Sequence, residues 1–112
     1  MSESSNCIHE TPHVHEFATP EVLERAAGLL RAAGDSGRLQ LLEILATGEH
    51  CVSELSSETG NSISIISQRL KVLRNEGLVS RRRSGKHQNY QLADEHVRIL
   101  LETILEHAKE PA

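Results

Sequence analysis

Aliphatic residues recur at helical spacing in successive segments of this 112-residue chain. Each segment is closed by a glycine or a turn-forming cluster, so the chain must fold as short, jointed helices. Val22, Leu23, Ala26, Ala27, Leu30 and Ala33 follow Thr19-Pro20, a cap and first-turn proline, and stop before Gly34. Asp35 or Ser36 caps a second helix. Its Leu39, Leu41, Leu42, Ile44 and Leu45 bury most of its surface before Thr47-Gly48. A short helix through Val52, Leu55 and Ser56 breaks at Thr59-Gly60-Asn61, residues suited to a tight turn. The next helix, Ser62 to Asn75, carries Ile63, Ile66, Leu70 and Leu73 on one stripe. With one Phe, one Tyr and no Trp, the core has to be Leu, Ile, Val and Ala.

Two helices joined by a glycine-containing turn, the second exposing Ser64, Ser67, Gln68 and Lys71, form a helix-turn-helix pattern. After Glu76-Gly77, the run Leu78 to Arg83 reads as a strand that turns at Ser84-Gly85 and returns through His87 to Leu92. A hairpin with a basic tip beside a reading helix is the wing of a winged helix. The fold class is therefore mainly α with a small β-hairpin (α+β). Charge points the same way. Residues 61–92 hold seven basic side chains against Glu76 alone, a local charge of +6 in a chain of net charge −4. Salt screens beyond about 10 Å, so a local basic face can bind phosphates whatever the total.

Asp94 opens a terminal helix with Val97, Leu100, Leu101, Ile104, Leu105 and Ala108 on a broad apolar face. Residues 1–19 are polar and His-rich and read as a flexible arm, with the domain at residues 20–112. A domain this small is expected to form a homodimer that shares part of its core through the terminal helices. No apolar run reaches the about 18 to 20 residues that span a bilayer, and the N-terminus lacks the pattern of a signal peptide. A soluble, cytoplasmic protein with no membrane partner is expected. Cys7 and Cys51, 44 positions apart, make no disulfide framework and point to metal or redox chemistry.

The terminal helix carries four potential metal ligands, Asp94, His96, His107 and Glu110. His96 and His107 project from nearly the same side, about 20° beyond three full turns at about 100° per residue. Along the axis they lie about 16 Å apart, and one ion with bonds of about 2 Å cannot bridge them. If a second copy packs antiparallel, Asp94 and His96 of one helix meet His107 and Glu110 of the other, and two symmetric sites flank the apolar seam. Two imidazoles with two carboxylates suit Zn(II), and Co(II) or Ni(II) accept the same donors. An ordinary solvated helix flank also carries such residues.

The segments Gly34-Asp35-Ser36-Gly37-Arg38-Leu39-Gln40-Leu41-Leu42, Cys51-Val52-Ser53-Glu54-Leu55 and Ser64 to Leu73 lead to a family resemblance. With Gly77-Leu78-Val79, Tyr90-Gln91-Leu92 and the terminal D-x-H and H-x-x-E, the sequence resembles the ArsR/SmtB metal-sensing transcriptional repressors across residues 22–110. The resemblance implies a dimeric winged helix that holds operator double-stranded DNA when metal-free and is released by metal, derepressing efflux or sequestration genes. Carried over by position, Asp94 and His96 of one subunit with His107 and Glu110 of the other would hold zinc. Ser64, Ser67, Gln68 and Arg69, with Arg82 and Lys86 of the wing, would contact DNA, and Lys71 shares their outward face. Cys51 matches a cysteine that some members use for a second site with the N-terminal arm. Here Cys7, His9, His13 and His15 would join it, a set that favours Cd(II), Pb(II) or Zn(II). Ser53 stands where the most thiophilic members carry another cysteine.

Two rival functions remain open from the residues. One is a redox-sensing repressor working through Cys7 and Cys51, and the other is a cytoplasmic metal buffer built on the arm. An enzyme is not expected, because no glycine-rich phosphate loop occurs and four ligands leave a metal no open position.

Overall fold

The computed structural model describes residues 16–112. Helices α1 (Pro20–Ala33) and α2 (Ser36–Leu45) lead into a two-residue strand β1 (His50–Cys51). Helices α3 (Val52–Thr59) and α4 (Ile63–Asn75), strands β2 (Val79–Ser84) and β3 (His87–Leu92), and helix α5 (Glu95–Ala108) follow. The helix boundaries follow from local chemistry. Thr19, Asp35, Ser62 and Asp94 each accept a hydrogen bond from a backbone N–H three residues on, satisfying donors that a helix start leaves unpaired. Gly60 ends α3 with a φ of 76°, which a side chain resists, and this sets the tight turn into α4. Nothing lies within 4 Å of where a Cβ would sit, so Gly60→Ala tests backbone strain alone. It is expected to cost about 1 kcal/mol and to lower Tm by about 4 to 8 °C in thermal unfolding. An unchanged Tm would mean that the turn does not need this conformation.

Leu41, Leu42 and Leu45 of α2, Leu55 of α3, and Ile66, Leu70 and Leu73 of α4 are almost fully buried together, with Leu78, Val79, Tyr90, Leu92 and Leu101 closing around them. Helix α2 is the central one, as its all-round apolar pattern requires. Ile63 departs from the expected stripe: it is 50% exposed, at the first turn of α4, ahead of the core.

The sheet has the antiparallel order β1-β3-β2. Strand β1 carries no signal in the sequence because two residues give no alternation. The hairpin turn also lies one residue later than expected. Ser84 pairs with His87, so Gly85 and Lys86 form the turn, with Gly85 at a φ of 61°.

The apolar face of α5 is divided between two roles. Leu101 is buried, and Val97 and Leu105 pack on the core, whereas Ile99, Leu100 and Ile104 are 55%, 42% and 50% exposed. Val22, Leu23 and Leu30 of α1 are exposed to a similar degree. Leu30, Leu100 and Ile104 border one wholly apolar hollow whose floor includes Leu39, Leu42 and Leu78. Arg98 fastens α5 to the rest of the domain, its guanidinium donating to the carbonyl of Ala46 at 2.5 Å.

Candidate nucleic-acid interface and metal-ligand helix

Helix α4 is positioned by three buried residues, Ile66, Leu70 and Leu73, and by the Ser62 cap. Those contacts turn Ser64, Ser67, Gln68 and Lys71 outward, all exposed. Arg69 lies apart from them. It is half-buried, with its guanidinium over the backbone of Gly37, where a Cβ would come within 2.5 Å of it. Only glycine lets α2 and this arginine approach so closely.

Strand alternation sorts the basic residues of the wing. Val79, Arg81 and Arg83 share the face whose inner end packs in the core, and Ser80, Arg82 and Ser84 share the other. Arg82 makes a two-pronged ion pair with Glu49, at 2.6 and 3.2 Å. The guanidinium beside it holds the Glu49 carboxyl below the ordinary carboxylate range, and Asn89 adds to the effect. Arg81, Arg83 and Lys86 are exposed. Counting in twos from Val79 puts Arg82 on the face of β2 opposite Arg81 and Arg83. Glu49 itself carries no motif that would have marked it.

On α5 the four candidate ligands fall into two pairs at opposite ends. The Asp94 carboxylate caps the helix through Oδ1, which accepts from the Val97 amide at 3.1 Å. Its Oδ2 is 3.8 Å from Nδ1 of His96. At the other end Nδ1 of His107 is 3.4 Å from Oε1 of Glu110. All four side chains are more than half exposed. Among the described residues, no three metal-binding side chains converge within one chain. Each end of α5 thus offers one imidazole and one carboxylate, half of a four-donor set.

Cys51 is the residue before α3 and is half-exposed. Its amide donates to the Glu54 carboxylate at 2.8 Å, the leading cause of a lowered pKa at Glu54, and its Sγ is 3.2 Å from Oγ of Ser53. Ser84, His87 and Asn89 of the wing border the same shallow hollow as Cys51 and Glu54. Cys7, His9, His13 and His15 lie outside the described residues.

A family model described as bacterial regulatory protein, arsR family, matches residues 35–81, from the cap of α2 through α4 into β2. A transcriptional repressor SmtB homologue from a Synechocystis species is 34% identical over 125 residues, covering 98% of this chain and 95% of that protein. A homologue of the cadmium resistance transcriptional regulatory protein CadC from Staphylococcus aureus is 33% identical over 87 residues, 77% of this chain and 72% of its own. A solved homodimeric winged helix-turn-helix DNA-binding domain from Mycobacterium bovis superposes with a TM-score of 0.78 at 31% identity, covering 86% of this chain and 92% of that one. By sequence and architecture together, the chain belongs to the ArsR/SmtB family of winged helix-turn-helix transcriptional regulators.

Proposed function

We propose that the protein is a homodimeric repressor that holds operator DNA in its metal-free form and releases it on binding a divalent metal, with Zn(II) as the effector. The observation that carries this reading is the division of α5 into two complementary half-sites beside an uncovered apolar strip. Asp94 and His96 stand at one end, His107 and Glu110 at the other, and Ile99, Leu100 and Ile104 lie exposed between them. An antiparallel second copy would cover the strip and complete both donor sets at once. Two imidazoles and two carboxylates match a closed four-coordinate zinc site. Metal binding through Oδ2 of Asp94 would leave its capping bond through Oδ1 intact. Co(II), Cd(II) and Pb(II) are the competing effectors, and the CadC homologue's name supports a heavier metal as much as zinc.

DNA would be read by Ser64, Ser67, Gln68 and Lys71 on α4, where Gln68 can pair with adenine, and gripped by the wing, with Lys86 at its tip. Two reading helices must stand about 34 Å apart to enter successive major grooves. Metal that pins the α5 helices together acts on that spacing, because Leu101 and the bond from Arg98 to Ala46 tie α5 to the reading head. Linkage requires that operator DNA weaken metal binding by the same factor as metal weakens DNA binding.

The test is fluorescence anisotropy of a labelled duplex from the protein's own upstream region. It is titrated with metal-free protein and then with Zn(II), for wild type and His96→Ala. Zinc is expected to weaken wild-type binding by about 5- to 150-fold, the usual range of coupling between sites, and to leave His96→Ala bound. Release in both proteins would move the regulatory site to Cys51 and the arm. Indifference to metal in both would favour the redox reading, which oxidation of Cys51 would then have to bear out.

A further inference from the structure

We propose that Glu49, acting through Arg82, sets the pose of the wing: Arg82 is a strut at the wing's base, and Arg81 and Arg83 meet the phosphates. This deepens the DNA-binding reading above and rests on it. The sheet register locates the strut. Asn89 of β3 pairs with Cys51 on one side and Arg82 on the other, and this is the last row in which three strands run side by side. Beyond it the wing continues as a ribbon of two strands, Arg83 opposite Gln88 and Ser84 opposite His87. A two-stranded ribbon has little stability of its own, so its direction depends on how its base is held.

Glu49 lies two residues before Cys51, and its carboxylate reaches the Arg82 guanidinium with both prongs, at 2.6 and 3.2 Å. Its side chain is only 32% exposed. The bond joins positions 33 apart in sequence, linking the segment after α2 to the wing. An isolated surface ion pair contributes little, but a two-pronged contact at a free ribbon's base has geometric value because it fixes orientation. Arg81 and Arg83 project from the opposite face of β2, the one that continues from Val79 and the core, so the strut leaves them available for phosphates. The alternative is competition, in which phosphate takes Arg82 from Glu49. The two differ in sign.

Three measurements on the full-length protein, amide exchange, duplex affinity and its salt dependence, decide between them. In the free protein, Glu49→Gln is expected to speed amide exchange in the wing, residues 81–90, and the charge-swapped double variant Glu49→Arg with Arg82→Glu is expected to restore protection. With the upstream duplex, Glu49→Gln is expected to weaken binding by about 3- to 10-fold, and the swap to return it to near wild type. Arg83→Gln is expected to lower the slope of log K against log salt by about 0.9 for each phosphate that Arg83 neutralises. Tighter binding by Glu49→Gln, or a swap that binds worse than either single variant, would overturn the proposal in favour of Arg82 as a direct phosphate ligand. Unchanged exchange in Glu49→Gln would also overturn it. A wild type that does not bind the duplex would sink the DNA-binding reading, leaving exchange to decide the strut.

Discussion

Mixing His96→Ala protein with His107→Ala protein is expected to create one tight zinc site per heterodimer, although each variant alone has none. The reason is geometric. Asp94 and His96 lie at one end of α5, His107 and Glu110 at the other, and only the neighbours within each end approach one another, at 3.8 and 3.4 Å. A site completed across two antiparallel helices takes its N-terminal half from one chain and its C-terminal half from the other. In either homodimer of variants both sites lose an imidazole. In the heterodimer one site loses both imidazoles and the second keeps all four ligands. Loss of a mere hydrogen-bond partner to a ligand already lowers metal affinity by about 10- to 100-fold. Loss of the ligand itself is therefore expected to cost about 100-fold or more in a competition titration with a chelator. The mixture should recover a class of wild-type affinity, with a stoichiometry set by the heterodimer fraction. No recovery after subunit exchange would mean that opposite ends of the two α5 helices do not share a metal, and would place the tight site elsewhere in the protein.

Ile104→Glu is expected to abolish the dimer, and with it both tight metal binding and tight DNA binding. Ile104 is 50% exposed and borders the apolar hollow between α1, α2 and α5. Ile104 belongs neither to the buried core nor to the residues packed on it, so the substitution leaves the core of the single chain in place. In the dimer the same position would carry a charge into an apolar seam, once from each copy, and burying an unpaired carboxylate costs several kcal/mol. Linking two reading heads raises affinity by about 100- to 10,000-fold through effective concentration, so the monomer is expected to lose about 100-fold or more for the two-half-site duplex. Sedimentation gives the mass, anisotropy the affinity, and circular dichroism shows whether the helices persist. A variant that stays dimeric with undiminished DNA binding would remove α5 from the interface.

Much of this domain is legible from local chemistry because its decisive signals are short-ranged. Thr19, and Asp35 as one of two candidates, announce their helices by capping chemistry within a single turn; Ser62 and Asp94 stand at expected helix starts, and all four cap in the structure. The stripe of Ile66, Leu70 and Leu73 identifies the buried face of α4, and hence the outward one, because helical period follows from backbone geometry alone. Ile63 is the exception, since period assigns a face but not how far along the helix the core extends. The two halves of the proposed metal site are legible for the same reason, as each is a pair of neighbours at one end of α5.

What the sequence determined by itself, then, is the order and type of the helices, the hairpin, the outward face of α4 and the sorting of the candidate ligands to the two ends of α5. All of these depend on contacts within a few residues. The tertiary structure alone decided that Arg82 belongs to Glu49, that Arg69 lies over Gly37, that β1 adds a third strand, and that Arg98 ties α5 to Ala46. Each of these joins residues distant in the chain, β1 through backbone pairing with β3 and the three arginines through side chains whose length lets them choose among several partners. Local propensity carries no information about that choice; it is made only when the helices pack and bring one carboxylate, carbonyl or glycine within reach.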